Sequence, residues 1–229
     1  MSNTSRKIKI LFFALIIVLF SSASFAIQLP KIFSFNEKNA LLRWKEKVFK
    51  GRVLYVVNLD EHDGYLTAYS QQSASGIFYR IVFNPREKPM VSWKWRVLRF
   101  PDKAWTRETA EGWIEKDDYA ARFYVIFPGI VFTGTRCLEY VWDKDLPEGL
   151  ILTSPYFKNI KIIVAESGVE NLGKWAHEER DIHADYKRAF GREPSKVGAV
   201  AIMTDADNTV STAEAWYDEI RVGYEKDEE

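Results

Sequence analysis

The chain has 229 residues, 47% of them hydrophobic, and its 32 basic and 32 acidic side chains cancel. That length fits one domain with a substantial core. The lack of basic excess argues against recognition of nucleic acid or an anionic lipid surface through bulk charge.

Residues 1–26 read as a cleaved export signal. Arg6, Lys7 and Lys9 precede an unbroken apolar run at 10–20, and Ser24-Phe25-Ala26 offers small residues where a signal peptidase cuts. The run is shorter than the roughly 20 residues a spanning helix needs. An uncleaved amino-terminal anchor is the alternative. Export predicts a periplasmic or secreted protein with no membrane span after cleavage. Removing three basic and no acidic residues leaves the mature chain slightly acidic. The single cysteine, Cys137, cannot close an internal disulfide and reads as a small core residue.

Residues 27–50 form a lead-in. Within it, 41–49 are ambiguous between a short helix and the start of a strand. Short strand-like runs then follow at 53–58, 65–70, 76–83, 90–100, 119–127, 137–142, 160–165, 197–204 and 215–224. The clearest is 90–100. Val91, Trp93, Trp95 and Val97 alternate with Ser92, Lys94 and Arg96, the period of a strand with one buried face. Turn residues separate the runs at Asp63-Gly64, Pro101-Asp102, Pro128-Gly129 and Pro147-Glu148-Gly149. One helix is predicted over 178–190. Ile182, Tyr186 and Phe190 recur every four residues, Gly191 takes the carboxyl-terminal cap, and Pro194 follows. Residues 225–229 read as a disordered tail. The expected fold is all-β: one antiparallel β-sandwich over 51–224, jelly-roll-like, with a helix inserted near 178–190. A closed barrel is the alternative.

Candidate ligand-binding residues fall in three groups. Trp93 and Trp95 read as core, leaving Lys94 and Arg96 on a solvated face or groove. Asp117 and Asp118 lead into a run whose polar face carries Asp118, Arg122 and Tyr124. A mid-strand arginine stays charged and needs a carboxylate if buried. Asp118, Glu179, Asp181 and Asp185 are the candidates for that partner. The helical segment supplies Glu179, Arg180, Asp181, Asp185 and Tyr186. Asp181 and Asp185 stand one turn apart and repel, which a nearby cation such as Arg188 or Arg122 would relieve.

Asp205, Asp207 and Asn208 invite a structural calcium ion, because their oxygens suit a hard cation. The helix-loop-helix calcium pattern fails, however. Counting from Asp205, Val210 stands where glycine is needed and Trp216 where glutamate is needed. The competing reading is a strand-end turn in which Asp207 and Asn208 bond their own backbone. Asp218 is predicted to share a strand face with Trp216 and Ile220. No glycine-rich phosphate loop, paired-cysteine zinc motif or nucleophile elbow occurs, which argues against nucleotide, zinc and serine-hydrolase chemistry.

Several of these clusters together resemble the domain of unknown function 3047 family of bacterial exported proteins. The carriers are Ser73-Ala74-Ser75-Gly76, Trp93-Lys94-Trp95, Asp117-Asp118-Tyr119 with Arg122, Tyr140-Val141-Trp142, Glu179-Arg180-Asp181 with Asp185-Tyr186, Phe190-Gly191, and Thr204 to Thr209. The resemblance covers 51–222. It implies an exported all-β domain similar to carbohydrate-binding jelly rolls, and no established activity.

The expected function is therefore binding of a polar, carbohydrate-like ligand without catalysis, the partner being a glycan or another envelope component. One alternative is a structural or partner-binding envelope protein. Another is a polysaccharide lyase or hydrolase. For β-elimination on uronic acid polymers, Arg122 would neutralise a carboxylate while His183 and Tyr186 moved the proton.

Overall fold

A computed structural model describes residues 28–60, 63–103, 117–129 and 131–226. The predicted leader at 1–26 and the last three residues of the predicted tail lie outside the described residues. Among the described residues thirteen strands run in chain order. They are β1 (Lys31–Phe33), β2 (Lys45–Lys50), β3 (Leu54–Leu59), β4 (Gly64–Gln71), β5 (Ala74–Phe83), β6 (Met90–Arg99) and β7 (Ala121–Phe127). There follow β8 (Arg136–Asp143), β9 (Ile151–Thr153), β10 (Ile160–Ser167), β11 (Ala176–Asp181), β12 (Val197–Asp205) and β13 (Thr212–Tyr224). The helix α1 (Ile182–Phe190) lies between β11 and β12.

Two sheets result. The first has the order β11-β6-β13-β4-β3, with β1 added to β13; the second has the order β2-β5-β12-β7-β8-β10-β9. Every pairing is antiparallel except that of β8 with β10, which is parallel. The fold is the expected β-sandwich with one helix. Its inner face follows from the alternation on β6. Val91, Trp93, Trp95 and Val97 are completely buried, and their rings meet the second sheet. Trp93 stacks on Phe123 at 4.4 Å, and Trp95 lies 6.2 Å from Trp142. Aromatic residues at these positions remove large apolar areas from water and hold the sheets face to face. β12 is buried along its whole length. It lies inside the second sheet, and Phe49 and Phe157 help to cover the outer side of that region.

Two elements differ from expectation, and the ambiguous segment 41–49 resolves as a turn leading into a strand. Residues 45–50 form strand β2, pairing with β5. Residues 178–181 are extended, not helical. They belong to β11, an edge strand paired with β6 from Ala176 opposite Trp95 to Asp181 opposite Met90. The helix begins only at Ile182, where the Asp181 side chain accepts a hydrogen bond from Ala184 N at 2.8 Å and caps it. Gly191 ends it as expected, with φ 64° and its N–H donated to Lys187 O. On β13 the alternation breaks at Glu219, which has φ 45°. The register slips between Asp218 and Arg221, so Ile220 enters the core while Trp216 faces outward. A bulge of this kind moves every later side chain to the other face.

Gly64 shows how tightly the lead-in is bound to the sandwich. A side chain there would place a Cβ 2.2 Å from Phe35 O, and its own N–H donates to Asn36 Oδ1 at 2.8 Å.

Candidate functional site

The outer face of the second sheet holds a buried ionic network around Arg122. Strand order places β7 between β12 and β8, so Arg122 meets carboxylates from both neighbours. Its Nε and Nη2 grip the two oxygens of Asp205 at 2.8 and 2.7 Å. Nη1 reaches Glu139 at 2.6 Å, and Nη2 also donates to Asp117 O at 2.7 Å. Tyr124 OH adds a bond to Glu139 at 3.1 Å, and the guanidinium lies 4.7 Å over the Tyr119 ring. Burial works against the Arg122 charge, but Asp205, Glu139 and Asp117 hold it firmly ionised. Burial pushes the Tyr124 hydroxyl well above its ordinary range. Arg122 is only 3% exposed, so this group is enclosed within the fold. Its bonded partners are Asp205 and Glu139, in place of the expected Asp118, Glu179, Asp181 and Asp185.

The helix cluster is a second, separate network. Asp185 accepts from Tyr140 OH at 2.8 Å, from Arg180 Nε and Nη2 at 3.0 Å each, and from Arg188 at 3.2 Å. Tyr140 belongs to the core between the sheets, so Asp185 ties α1 and β11 to β8. Burial, then the Asp185 charge, pushes the Tyr140 hydroxyl up. Glu179 accepts from Tyr224 OH at 2.8 Å. Asp185→Ala is expected to lower the unfolding free energy by about 2–3 kcal/mol, because it leaves Arg180 and the Tyr140 hydroxyl without their acceptor. Urea denaturation reads this directly; a change below about 0.5 kcal/mol would mean the contact holds nothing.

The residues of the lyase alternative are each engaged elsewhere. Arg122 is held by Asp205 and Glu139. His183 meets Glu193 at 2.9 Å. Tyr186 packs between Phe127 and Phe190, 4.6 Å from each ring.

At the end of β12 the chain makes the expected turn, but its side chains bond the segment before β7. Asp118 accepts from both N and Oγ1 of Thr209 at 2.7 Å. Asn208 donates to Asp117 O at 3.2 Å and accepts from Tyr156 OH at 3.0 Å, which occupies the carbonyl expected to face a cation. Three carboxylates converge at this turn: Asp118, Asp205 and Asp207. All three are buried, with one oxygen from each lying within 4.8 Å of the others. Such oxygens suit calcium, but Arg122 already holds both oxygens of Asp205, so a cation there would compete with it.

A cavity of about 540 Å3 opens nearby, lined by Phe100, Lys103, Tyr119, Trp142, Asp143 and Leu172 among others. Lys103 meets Asp143 at 2.7 Å and lies 4.1 Å over the Tyr119 ring. Burial raises the Asp143 carboxyl, but Lys103 and the Asp145 and Leu146 amides hold it below its usual range.

The outer face of the first sheet differs from these enclosed networks. Register pairs Trp216 with Arg96 on one side and Thr67 on the other. Tyr65 stacks on Trp216 at 4.3 Å, and the Arg96 guanidinium lies 4.6 Å from the same ring. Trp175, just ahead of β11, stands 6.2 Å from Tyr65 and 6.3 Å from Trp216, with 40% of its surface exposed. Trp216 Nε1 donates to Glu214 at 3.3 Å. Lys94 is on this face too, paired with Glu219. Lys94 and Arg96, both half-buried, were legible as outward-facing; the aromatic residues beside them were not.

A family model described as a protein of unknown function (DUF3047) matches residues 42–221. The chain belongs to the DUF3047 family. No curated protein matches the sequence. Solved structures similar to this DUF3047 chain include the xyloglucanase domain of NopAA from Sinorhizobium fredii. It is 9% identical, with 80% of this chain and 91% of that one covered and a TM-score of 0.45. A family 30 carbohydrate-binding module from a Clostridium thermocellum cellulase is 10% identical, with coverage of 81% and 93% and a TM-score of 0.42. An adhesin domain of Lys-gingipain from Porphyromonas gingivalis W83 is 14% identical, with coverage of 87% and 100% and a TM-score of 0.42.

Proposed function

We propose that this chain binds a carbohydrate-like polar ligand, without catalysis, on the outer face of the first sheet. The observation that carries this reading is the half-exposed indole of Trp175 beside the Tyr65–Trp216–Arg96 stack. Tyr65 from β4 stacks on Trp216 and Arg96 from β6, the strand on the other side, lies over the same ring, so Trp216 is a rigid support. Trp175 is the ring left to receive a ligand. An indole offers an apolar face to the C–H side of a sugar ring, while Arg96, Glu214 and Lys94 supply polar groups for its hydroxyls. An export leader over residues 1–26, expected from the sequence, is part of this reading and would bring the protein to the glycans of a cell envelope. The Arg122 and Asp185 networks then serve to hold the sandwich that presents this face.

Affinity electrophoresis through gels containing neutral and acidic envelope polysaccharides tests the reading. Trp175→Ala is expected to weaken retention by about tenfold, the effect of losing roughly 1.4 kcal/mol of stacking and burial. Its unfolding free energy should change by no more than about 1 kcal/mol, since the ring is only half-buried at the edge of the stack. Retention unaffected by Trp175→Ala would remove the face from consideration.

A further inference from the structure

The aromatic face carries one cation that the sandwich itself does not match. On β6, Arg96 lies between the buried Trp95 and Val97, so its side chain stands on the outer face of the first sheet. Strand order puts β13 on one side of β6 and β11 on the other. The register sets Trp216 of β13 directly opposite Arg96. On the β11 side, Ala176 stands opposite Trp95, and Gly173 N–H donates to Val97 O at 2.8 Å. Trp175, between Gly173 and Ala176, is thereby held alongside Arg96. Trp216 touches both, with the Arg96 guanidinium 4.6 Å from its ring and the Trp175 ring at 6.3 Å.

The neighbouring charges are answered within the protein. Lys94 pairs with Glu219. Glu214 accepts from Trp216 Nε1 and has Arg99 opposite it in the register. Arg99 in turn donates to Thr212 Oγ1 at 3.2 Å. Arg96 differs from these. Among the described residues no carboxylate pairs with it and no oxygen accepts a hydrogen bond from it, and its Nε is buried without an acceptor. A half-buried guanidinium gives up part of its hydration, and only an acceptor restores what is lost. Stacking on Trp216 fixes the plane of the group, and its two Nη atoms, not enclosed as Nε is, remain for a ligand. One fixed, planar fork of N–H donors matches the two coplanar oxygens of a carboxylate. In a uronic acid that carboxylate is attached directly to the pyranose ring. A single sugar can therefore lay its ring on Trp175 and direct its carboxylate to Arg96.

We propose that the ligand of this face is an acidic glycan, bound through a uronate residue whose ring stacks on Trp175 and whose carboxylate is gripped by Arg96. The inference rests on the carbohydrate-binding reading of the face and names the class of sugar it takes.

Paired probes separate the two ideas. Alginate, polygalacturonate and hyaluronan are each cast in affinity gels beside their carboxyl-reduced forms, in which the acid has become a neutral alcohol, at one ionic strength. The full chain is expected to bind at least one uronate polymer about tenfold more tightly than its reduced form. In Arg96→Gln that ratio should fall to about one. Arg96→Lys keeps the charge but not the fork, and its ratio should stay below about threefold. A thermal midpoint checks that both variants fold, and the parent's own ratio tests the acid requirement without any variant. Equal retention by acidic and reduced polymers, weakened in both by Trp175→Ala, would overturn the acidic ligand and keep the carbohydrate face. A tenfold ratio undiminished in Arg96→Gln and Arg96→Lys would overturn the grip by Arg96. Retention by no polymer, or retention that Trp175→Ala leaves unchanged, would overturn the carbohydrate face and this inference with it.

Discussion

Arg122→Met is expected to lower the unfolding free energy by about 3–5 kcal/mol at pH 7. The guanidinium stands among Asp205, Glu139 and Asp117, with both Asp205 oxygens and one Glu139 oxygen bonded to it. Removing it leaves buried carboxylates without their cation, and these must protonate or draw in water. The loss should therefore shrink as the pH falls and the orphaned carboxyls take up protons. Combining Arg122→Met with Asp205→Asn and Glu139→Gln should recover part of the loss, because the triple variant removes the two carboxylates bonded to the guanidinium and leaves only the more distant Asp117 charge. Guanidinium denaturation of the parent and the two variants at pH 5 and pH 7 decides the matter. A single-variant loss below about 1 kcal/mol at pH 7 would show that Arg122 behaves as an exposed pair. Because the expected loss is structural, a failure of Arg122→Ala to bind a ligand would say nothing about a binding face.

The sandwich was legible wherever one face of a strand is apolar. β6 shows this best, since Val91, Trp93, Trp95 and Val97 are buried in the alternation that the residues display. β11 carries no such signal. Its Glu178-Glu179-Arg180-Asp181 sequence has neither β-branched residues nor apolar alternation, and its extension comes from pairing with the open edge of β6. The helical spacing of Ile182, Tyr186 and Phe190 is real, but it begins after the Asp181 cap. The slip at Glu219 was invisible for a different reason. A bulge changes which face a residue takes without changing the residue types around it.

The networks were legible in their members more than in their pairings. Arg122 demanded a buried carboxylate, yet its partners follow from strand order. Only the sequence β12-β7-β8 brings Asp205 and Glu139 to it from either side. Asp205 drew attention as a cation ligand, and Glu139 lies inside the apolar run of β8. Trp175 sits in the connection leading into β11, where no period applies, and Trp216 reads as one more core aromatic until the bulge is known. Trp175, Arg96 and Trp216 meet only because β6 lies between β11 and β13. Exposed faces are assembled from several strands, so periodicity within one strand cannot reveal them.

The chain should be more stable in mild acid than at neutral pH, with Glu178 the main cause. This carboxyl is 9% exposed on β11. Burial, then the nearby Glu166 charge, pushes it from 4.5 up to about 7, while Arg180 pulls modestly in the other direction. Glu148 adds a weaker like charge, and the Trp95 indole beside it closes no hydrogen bond of normal geometry. A raised carboxyl pKa means that the folded state holds the proton more tightly than the unfolded chain. Its contribution is complete below pH 4.5 and is lost as the pH rises through about 7. At 1.36 kcal/mol per pH unit the span corresponds to about 3 kcal/mol. Asp218, raised to about 6 chiefly by burial, acts in the same direction. Glu178→Gln keeps the shape and removes the charge. It should match the parent near pH 4.5 and exceed it by about 3 kcal/mol at pH 8. Urea denaturation from pH 4.5 to 8.5 measures both curves. Parallel curves would show that Glu178 ionises freely in the folded protein, and that β11 rests on Asp185 and the β6 pairing alone.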